Sequence, residues 1–171
     1  MKPIKKTIAA AAIGSWIPVA RQSYGTVGFT VHPQTTTAGT YSIQFTESDV
    51  QTSTRSKFTR STTTLTITSV AHGLTTADAC IVTGNSDFEG EYEVASVASA
   101  DTITVTVADA GAASGSLGFI PVVVDTVTGF SGAAAGTLAS GNLFASVTAV
   151  RLDGTSVTTA PIDFLLNQRE G

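Results

Sequence analysis

Hydrophobic and polar residues alternate along much of the chain, which predicts β-strands with one buried face. The first two alternating runs, 24–33 and 40–50, are separated by a Thr-rich turn, and we expect them to form an antiparallel hairpin. Their hydrophobic positions are Val27, Phe29, Val31, Tyr41, Ile43 and Phe45.

Shorter runs of the same kind fill the middle of the chain. Turn signals separate them about every ten residues, a rhythm typical of a small barrel or sandwich. The hydrophobic positions are Leu65, Ile67, Val70, Ile81, Val82, Tyr92, Val94, Val97, Ile103, Val105 and Val107. The polar run 51–64 is interpreted as a linker, and the Gly- and Ala-containing run 108–118 as a second flexible stretch.

The last third ends in two strand-like runs, 146–154 and 159–168. Their expected buried positions are Val147, Ala149, Arg151, Ile162, Phe164 and Leu166. The Gly-flanked segment 131–141 is compatible with a short helix or a loop, and the pattern does not decide between them.

The first and last parts of the chain each offer only two or three strands, too few for a stable sheet alone. We therefore predict an all-β fold in which these parts form one discontinuous β-sandwich, 15–58 with 119–171. A small barrel-like module, 59–118, interrupts the sandwich, and residues 1–14 form an N-terminal arm.

Charge is scarce in this sequence. Asp, Glu, Lys and Arg make up 13% of the residues, against roughly 25% in average soluble proteins. A surface so poor in charge favours a protein partly covered by other subunits. The net charge of -4 excludes phosphate neutralisation as the main activity, so no nucleic-acid partner is expected. The local basic run of Arg55, Lys57 and Arg60 is either a solvated linker or a docking patch.

The N-terminus combines three lysines with an Ala-rich apolar run. It lacks the Leu-dense centre of a secretory signal and contains Gly14, Trp16 and Pro18, so we interpret it as an arm that reaches onto a neighbouring subunit. No run is long enough to span a membrane. Trp16 and Arg21 join the basic run and Arg151 as candidate interface residues.

The stretch 66–94 carries the residues that could support chemistry. The lone Cys80 lies in an apolar run and is expected to be a buried, inert thiol. His72 precedes Gly73 at a predicted turn, and no partner arrangement for a general base is visible. No cofactor, metal ion or enzymatic activity is predicted. A pocket that brings His72 within hydrogen-bond reach of Asp78 or Glu89 would reverse that view.

Four carboxylates in this stretch, Asp87, Glu89, Glu91 and Glu93, are spaced by two. On a strand this spacing places all four on one face. They lack the spacing of a calcium-binding loop. Cys and His residues of the sequence also lack the spacing typical of zinc ligands. We therefore interpret the row as the solvated face of a strand.

Arg151 lies within an apolar strand, where a charge is costly unless it is paired. We expect a carboxylate partner, Asp49 or Asp153, either within the chain or across a subunit interface.

Residues 65–105 resemble a small β-module that recurs in virion proteins of tailed bacteriophages and is similar to the first catalytic-cysteine half-domain barrel of ubiquitin-activating enzymes. The matching positions are Thr68, His72, Gly73, Leu74, Asp78, Val82, Gly84, Gly90, Tyr92, Val94, Asp101, Thr102, Ile103 and Thr104. Ala77 stands in place of the usual Gly, and Ile103 in place of an aromatic residue. In that family the His-Gly-Leu sequence is a structural turn.

The flanking parts are similar to small phage head and neck proteins. Thr46, Asp49 and Val50 match an early strand end, while 148–152 and Gln168 match a C-terminal hairpin in which Ser146 replaces the usual Pro. Together the resemblances imply a virion component assembled in the host cytoplasm. They favour a capsid-associated decoration or head-fibre protein whose partner is the major capsid protein, present as a homo-oligomer such as a trimer or as a symmetric array.

Two alternatives remain open at the level of sequence. One is a head–tail connector, tail-tube or tail-tip subunit. The other, from a different class, is a secreted adhesin or carbohydrate-binding β-module, which would expose aromatic platforms. The single Trp of the chain lies in the N-terminal segment, which counts against that second alternative.

Overall fold

The computed structural model describes residues 4–8, 12–19, 27–33, 36–127, 132–135, 139–143, 147–155 and 162–168. Regular secondary structure in these ranges is entirely β, which confirms the predicted fold class. The strands are β1 (Ile4–Ile8), β2 (Ile17–Pro18), β3 (Val27–Pro33), β4 (Thr36–Thr46), β5 (Thr54–Ser61), β6 (Thr64–Thr68), β7 (Ala79–Thr83), β8 (Gly90–Glu93), β9 (Ser96–Ser99), β10 (Thr102–Thr106), β11 (Ser114–Val122), β12 (Asp125–Thr126), β13 (Gly132–Ala135), β14 (Ala139–Leu143), β15 (Ala149–Asp153) and β16 (Ile162–Gln168). Among these residues, no helix has the length and apolar character to cross a membrane.

The chain divides into two compact units. Unit 1 comprises Met1–Glu47 and Asp125–Gly171, and unit 2 is the continuous segment Ser48–Val124. The limits of unit 2 lie outside the expected module boundaries of 59 and 118 because those positions fall within β5 and β11, which are both strands of its sheet.

Unit 2 is built on one seven-stranded sheet with the order β8-β7-β11-β5-β6-β10-β9. The expectation of a linker at 51–64 is wrong, since β5 pairs with β6 on one side and β11 on the other. Its inward positions are Ser56 and Phe58, so the strand carries too few aliphatic residues to reveal its alternation. The core contains Phe58, Leu65, Ile67, Leu74, Cys80, Val82, Phe88, Val94, Ile103, Val105, Val107, Leu117 and Phe119.

The two edges of this sheet are joined by the chain itself, since β8 is followed directly by β9. Between them Val94 donates its N–H to the Asp78 carbonyl at 3.0 Å, and Ala95 donates to the Thr104 carbonyl at 2.9 Å. One bent segment, 90–99, therefore pairs first with β7 and then with β10, which curls the sheet around its core.

Unit 1 is a sandwich of two sheets. One has the order β1-β16-β3-β14 and the other β12-β4-β15-β2, with β13 also paired to β4. A shared apolar core lies between them because each sheet contributes alternate residues. Its members are Ile8, Ile17, Val19, Val27, Phe29, Val31, Tyr41, Ile43, Val147, Val150, Leu152, Ile162, Phe164 and Leu166.

Two expectations for unit 1 are wrong. The runs containing β3 and β4 do not form a hairpin, because β3 pairs with β14 and β16 while β4 belongs to the other sheet. Segment 131–141 contributes β13 and β14 rather than a helix or a loop. In both cases the strand partners lie far away in the chain, where local sequence patterns do not record them.

The segment predicted to be an arm reaching onto a neighbouring subunit contains strand β1, which belongs to a sheet of unit 1. β1 pairs with β16 from Ile4 to Ile8. The ammonium of Lys5 lies 2.8 Å from the buried carboxylate of Asp163, and the Thr7 hydroxyl donates to the same carboxylate at 2.6 Å. A charged edge with Lys5 and Lys6 exposed also discourages uncontrolled strand addition.

Candidate interaction face

The outer face of β5 carries the exposed side chains of the basic run. Arg55, Lys57 and Thr59 are exposed, while Ser56 and Phe58 point inward. Nη2 of Arg55 donates to the Ser116 hydroxyl at 3.0 Å. Neither Arg55 nor Lys57 has a carboxylate partner within the described chain. The two cations are therefore available to a ligand or partner.

Threonine and serine residues surround these cations in register across five strands. Thr66 of β6 pairs with Thr59 of β5 on one side and with Thr104 of β10 on the other. Together with Arg55 and Lys57 they form what we call the hydroxyl face; its hydroxyl-bearing members are Thr59, Thr64, Thr66, Thr68, Ser96, Ser99, Thr102, Thr104, Thr106, Ser114 and Ser116.

Most hydroxyls of this face are free to bond outside the chain. In the described chain, Ser96 and Thr104 bond each other at 2.7 Å, Ser99 accepts from the Asp101 N–H, and Ser116 accepts from Arg55. β5, β6, β9, β10 and β11 contain no Asp or Glu. The hydroxyl face is thus polar, carries only positive charge, and bears no outward aromatic ring. Sequence reasoning missed it, although the repeat of Thr at 64, 66, 68 and at 102, 104, 106 was visible.

Arg60, the third cation of the run, has a structural role. Its Nη1 donates to the Thr62 carbonyl and to Asp109 Oδ1, both at 2.7 Å, and Nη2 donates to the Gly111 carbonyl at 3.0 Å. These bonds tie the β5–β6 turn to the loop before β11. Arg60 therefore belongs to the framework of unit 2 and not to the hydroxyl face.

Trp16 and Arg151 are buried inside unit 1, with 7% and 4% of their surface exposed. This corrects their assignment as interface candidates. The guanidinium carbon of Arg151 lies 4.4 Å from the Trp16 ring centroid, and its Nε donates to Gln44 Oε1 at 2.7 Å. The Gln44 amide in turn donates to Asp153 Oδ2 at 3.4 Å, so this expected carboxylate is linked to Arg151 through Gln44. Arg21 lies outside the described residues.

Arg151→Lys is expected to lower the free energy of unfolding by about 1–2 kcal/mol, because an ammonium cannot both stack on Trp16 and reach Gln44 with a planar fork. Chemical denaturation followed by Trp16 fluorescence measures the change. Lys6→Arg, an exposed exchange on β1, is the matched control and should leave stability unchanged.

His72 is buried and uses both ring nitrogens in local structure. Nδ1 accepts the Leu74 N–H at 3.0 Å, and Nε2 lies 3.1 Å from the Ser99 carbonyl. A neutral ring with its proton on Nε2 satisfies both contacts. His72 thus fixes the turn after β6 against the end of β9.

Asp78 is also buried and has both carboxylate oxygens occupied. Oδ2 accepts the N–H and the hydroxyl of Thr75 at 2.7 and 2.8 Å, and Oδ1 accepts the Val124 N–H at 2.7 Å. The carboxylate therefore closes the turn before β7 and holds the last residue of unit 2. No hydrogen bond joins it to His72 in the described chain, so these two side chains do not form an acid–base pair.

Cys80 is fully buried on β7. Burial raises the pKa of its thiol from 9.0 to about 12, because a thiolate is poorly solvated in an apolar core. The reactive thiolate is therefore scarce at neutral pH.

Cys80 is expected to resist a thiol reagent such as 5,5′-dithiobis(2-nitrobenzoic acid) at pH 8 and to react fully in denaturant. Above pH 9 the unfolded chain loses this proton while the folded chain retains it, so stability should fall as the pH rises from about 9 towards 12. Cys80→Ala is the control for the thiol contribution, and its unfolding should show a weaker pH dependence in this window. Rapid labelling of the native protein would contradict the buried assignment.

The acidic row lies mostly on β8, where Glu91 and Glu93 are exposed and Tyr92 packs against the core. Glu89 is exposed just before the strand. Asp87 instead accepts the Ala112 N–H at 2.9 Å. In the described ranges no group of three or more His, Cys, Asp and Glu residues is placed to hold a metal ion.

One cleft of about 290 Å³ lies in unit 1 between β1 and the segment before β2. Its walls include Lys6, Ile8, Ile13, Leu152 and Phe164. The lining contains no His, Cys, Asp or Glu, so it offers no acid–base pair.

Comparison with models of known protein families gave no match, and comparisons with curated proteins and with solved structures gave none either.

Proposed function

We propose that this protein is a structural subunit of a tailed-phage virion, of the capsid-associated decoration or head-fibre type. In this proposal unit 1 docks on the shell of major capsid protein, and unit 2 presents the hydroxyl face. Multiple symmetric copies compensate for weak single contacts.

The observation that carries the proposal is that the side chains of His72 and Asp78 are engaged in hydrogen bonds within unit 2. Both lie in the stretch that resembles the phage module, and both have their polar atoms committed to backbone groups and Thr75. A site for acid–base chemistry needs such groups free to meet a substrate, whereas a framework turn needs them bonded as they are. The hydroxyl face is large, and most of its hydroxyls form no hydrogen bond within the described chain, which supports a binding role rather than a reaction.

Co-sedimentation of the full chain with empty phage shells tests the proposal. We expect saturable binding with hundreds of copies per shell, as a decoration protein requires. The same shells already saturated with unlabelled protein are the control, and they should take up no labelled copies.

Three other outcomes would contradict the decoration role. Rings of six or twelve copies that ignore the shell wall would place the protein in the neck or tail. Binding to a glycan array with no binding to shells would favour the adhesin class. A protein that binds neither would overturn the virion proposal altogether.

A further inference from the structure

The centre of the hydroxyl face consists of two parallel rows that cross the strands of unit 2. In each row, successive side chains are register partners on neighbouring strands. The first row is Ser114, Thr59, Thr66, Thr104 and Ser96, and the second is Ser116, Lys57, Thr68, Thr102 and Ser99. Since the four steps between paired strands are each about 4.8 Å, a row follows the sheet for about 19 Å. The face is therefore long enough for a chain-like ligand that contacts several strands at once.

The threonines of these rows are suited to holding a ligand that is itself rich in hydroxyl groups. A threonine hydroxyl both donates and accepts hydrogen bonds. The β-branched side chain has few rotamers, so little conformational entropy is lost when a ligand fixes it. In the described chain, four of these hydroxyls form no intramolecular hydrogen bond, those of Thr59, Thr66, Thr68 and Thr102. They can bond to a ligand without breaking a contact within unit 2.

Two cations lie near one end of the rows. Lys57 belongs to the second row, and Arg55 is two residues earlier on the same face of β5. Both side chains are exposed, and neither forms an ion pair within the described chain. Arg55 uses Nε and Nη2 on the Ser116 hydroxyl, which leaves further N–H groups of its guanidinium for a ligand. Guanidinium and ammonium groups both form strong, charge-assisted hydrogen bonds with carboxylates.

The charge of unit 2 limits how anionic the ligand can be. Ser48–Val124 contains three Lys and Arg residues and eight Asp and Glu residues. A densely charged polymer, such as a nucleic acid or a polyphosphate, would be repelled by the rest of the unit. The face also has no outward aromatic ring for base stacking, and one exposed large hydrophobic residue on its strands, Val97, is too little for insertion into a lipid surface. The ligand that matches is a polymer with many hydroxyls and few negative charges.

We propose that the hydroxyl face of unit 2 binds an acidic polysaccharide, a chain of sugars in which some of the rings carry a carboxylate. Arg55 and Lys57 hold the carboxylates, and the threonine rows exchange hydrogen bonds with the ring hydroxyls. A sugar chain fits better than an acidic peptide, because the two cations are accompanied by eleven Thr and Ser hydroxyls. The inference rests on the binding role that the proposed function gives to unit 2, and it requires no particular docking surface on unit 1.

Titration of the full chain with a hyaluronan decasaccharide tests the proposal, with NMR shifts of the backbone amides as the measurement. Hyaluronan carries a carboxylate on every second sugar, so its charge is sparse. We expect saturable binding that weakens with added salt, with shifts concentrated on β5, β6 and β10. Dextran, a neutral sugar chain, should bind at least about tenfold more weakly because it has no carboxylate.

Two double variants separate the parts played by the cations and by the hydroxyls. Arg55→Ala/Lys57→Ala should weaken hyaluronan binding by about tenfold or more, because the carboxylates lose their charged partners. Thr66→Val/Thr68→Val keeps the branched shape of both side chains but removes two hydroxyls, and should weaken binding by about threefold or more.

Lys6→Ala on β1 and Thr52→Val before β5 are the matched controls. Both residues are exposed and lie outside the hydroxyl face, so these variants should bind hyaluronan like the native protein. Circular dichroism of every variant establishes that it remains folded.

Four results would overturn the inference: no saturable binding of hyaluronan, equally tight binding of dextran, native affinity in both double variants, or a preference for polyglutamate over hyaluronan. The last of these would indicate an acidic protein partner. No phage shell is present in this assay, so a failure here is distinguishable from a failure of shell binding.

Discussion

Phe119→Ala is expected to lower the free energy of unfolding of unit 2 by about 3–5 kcal/mol. Phe119 is completely buried and lies on β11 between Thr54 of β5 and Val82 of β7. Truncation removes a large ring from the core and leaves a cavity that paired strands on both sides cannot easily close. Hydrogen exchange of peptides from unit 2 measures the loss and separates it from unit 1.

Val70→Ala is the matched control, because Val70 is 83% exposed in the same unit. Its effect should stay within about 0.5 kcal/mol. A loss below about 1 kcal/mol for Phe119→Ala would show that the unit 2 core does not have the packing described above.

Asp78→Ala is the second large expected effect, a loss of about 3 kcal/mol in the free energy of unfolding. The carboxylate accepts three hydrogen bonds, from the N–H and hydroxyl of Thr75 and from the N–H of Val124. Hydrogen bonds to a charged group contribute more than neutral ones, and partly buried donors left without an acceptor add a desolvation cost. Urea denaturation measures the stability, and exchange at Val124 should accelerate most.

Two variants control for this prediction. Asp101→Ala removes an exposed carboxylate that accepts one backbone N–H, from Ala71 at 2.7 Å, and should cost about 1 kcal/mol or less. Asp78→Asn keeps the shape of the side chain but replaces one acceptor oxygen with an NH₂ group, which cannot accept a hydrogen bond. Its loss of stability should therefore fall between those of Asp101→Ala and Asp78→Ala. Equal effects of Asp78→Ala and Asp101→Ala would contradict the special position of Asp78.

The buried alternation was predictable from sequence because side-chain direction in a strand depends only on local geometry. Phe29, Ile43, Ile103 and Phe164 are buried as their patterns indicate. Which strands pair with each other was harder to predict from sequence. β3 and β4 are neighbours in sequence but belong to different sheets. Their hydrophobic alternation does not identify the strand with which each of them pairs.

β5 shows the second limit of the pattern. Its core-facing side chains are Ser56 and Phe58, and its solvent face is basic, so composition favoured a linker. Pairing with β6 and β11 determines that it is a strand. Tertiary context overrides a weak local signal in such cases.

The candidate site was predictable only in part. The solvent-facing carboxylates of β8 and the buried Cys80 follow directly from spacing and neighbours. The different roles of Arg55 and Arg60 could not be predicted in this way, because they depend on Asp109 and Gly111, which lie in the loop before β11. The burial of Trp16 likewise depends on Arg151, far away in the sequence.

The place where unit 2 enters and leaves unit 1 bears on the order of folding. β4 ends just before the insertion and β12 begins just after it, yet Phe45 and Asp125 are paired neighbours in one sheet. While Ser48–Val124 is an unstructured loop, closing that pair carries the entropy cost of a long chain. Once unit 2 has folded, the Val123 N–H donates to the Ser48 hydroxyl at 3.1 Å, so the remaining gap is short. The insertion is therefore expected to fold before its host and to act as the nucleus that brings the two halves of the sandwich together.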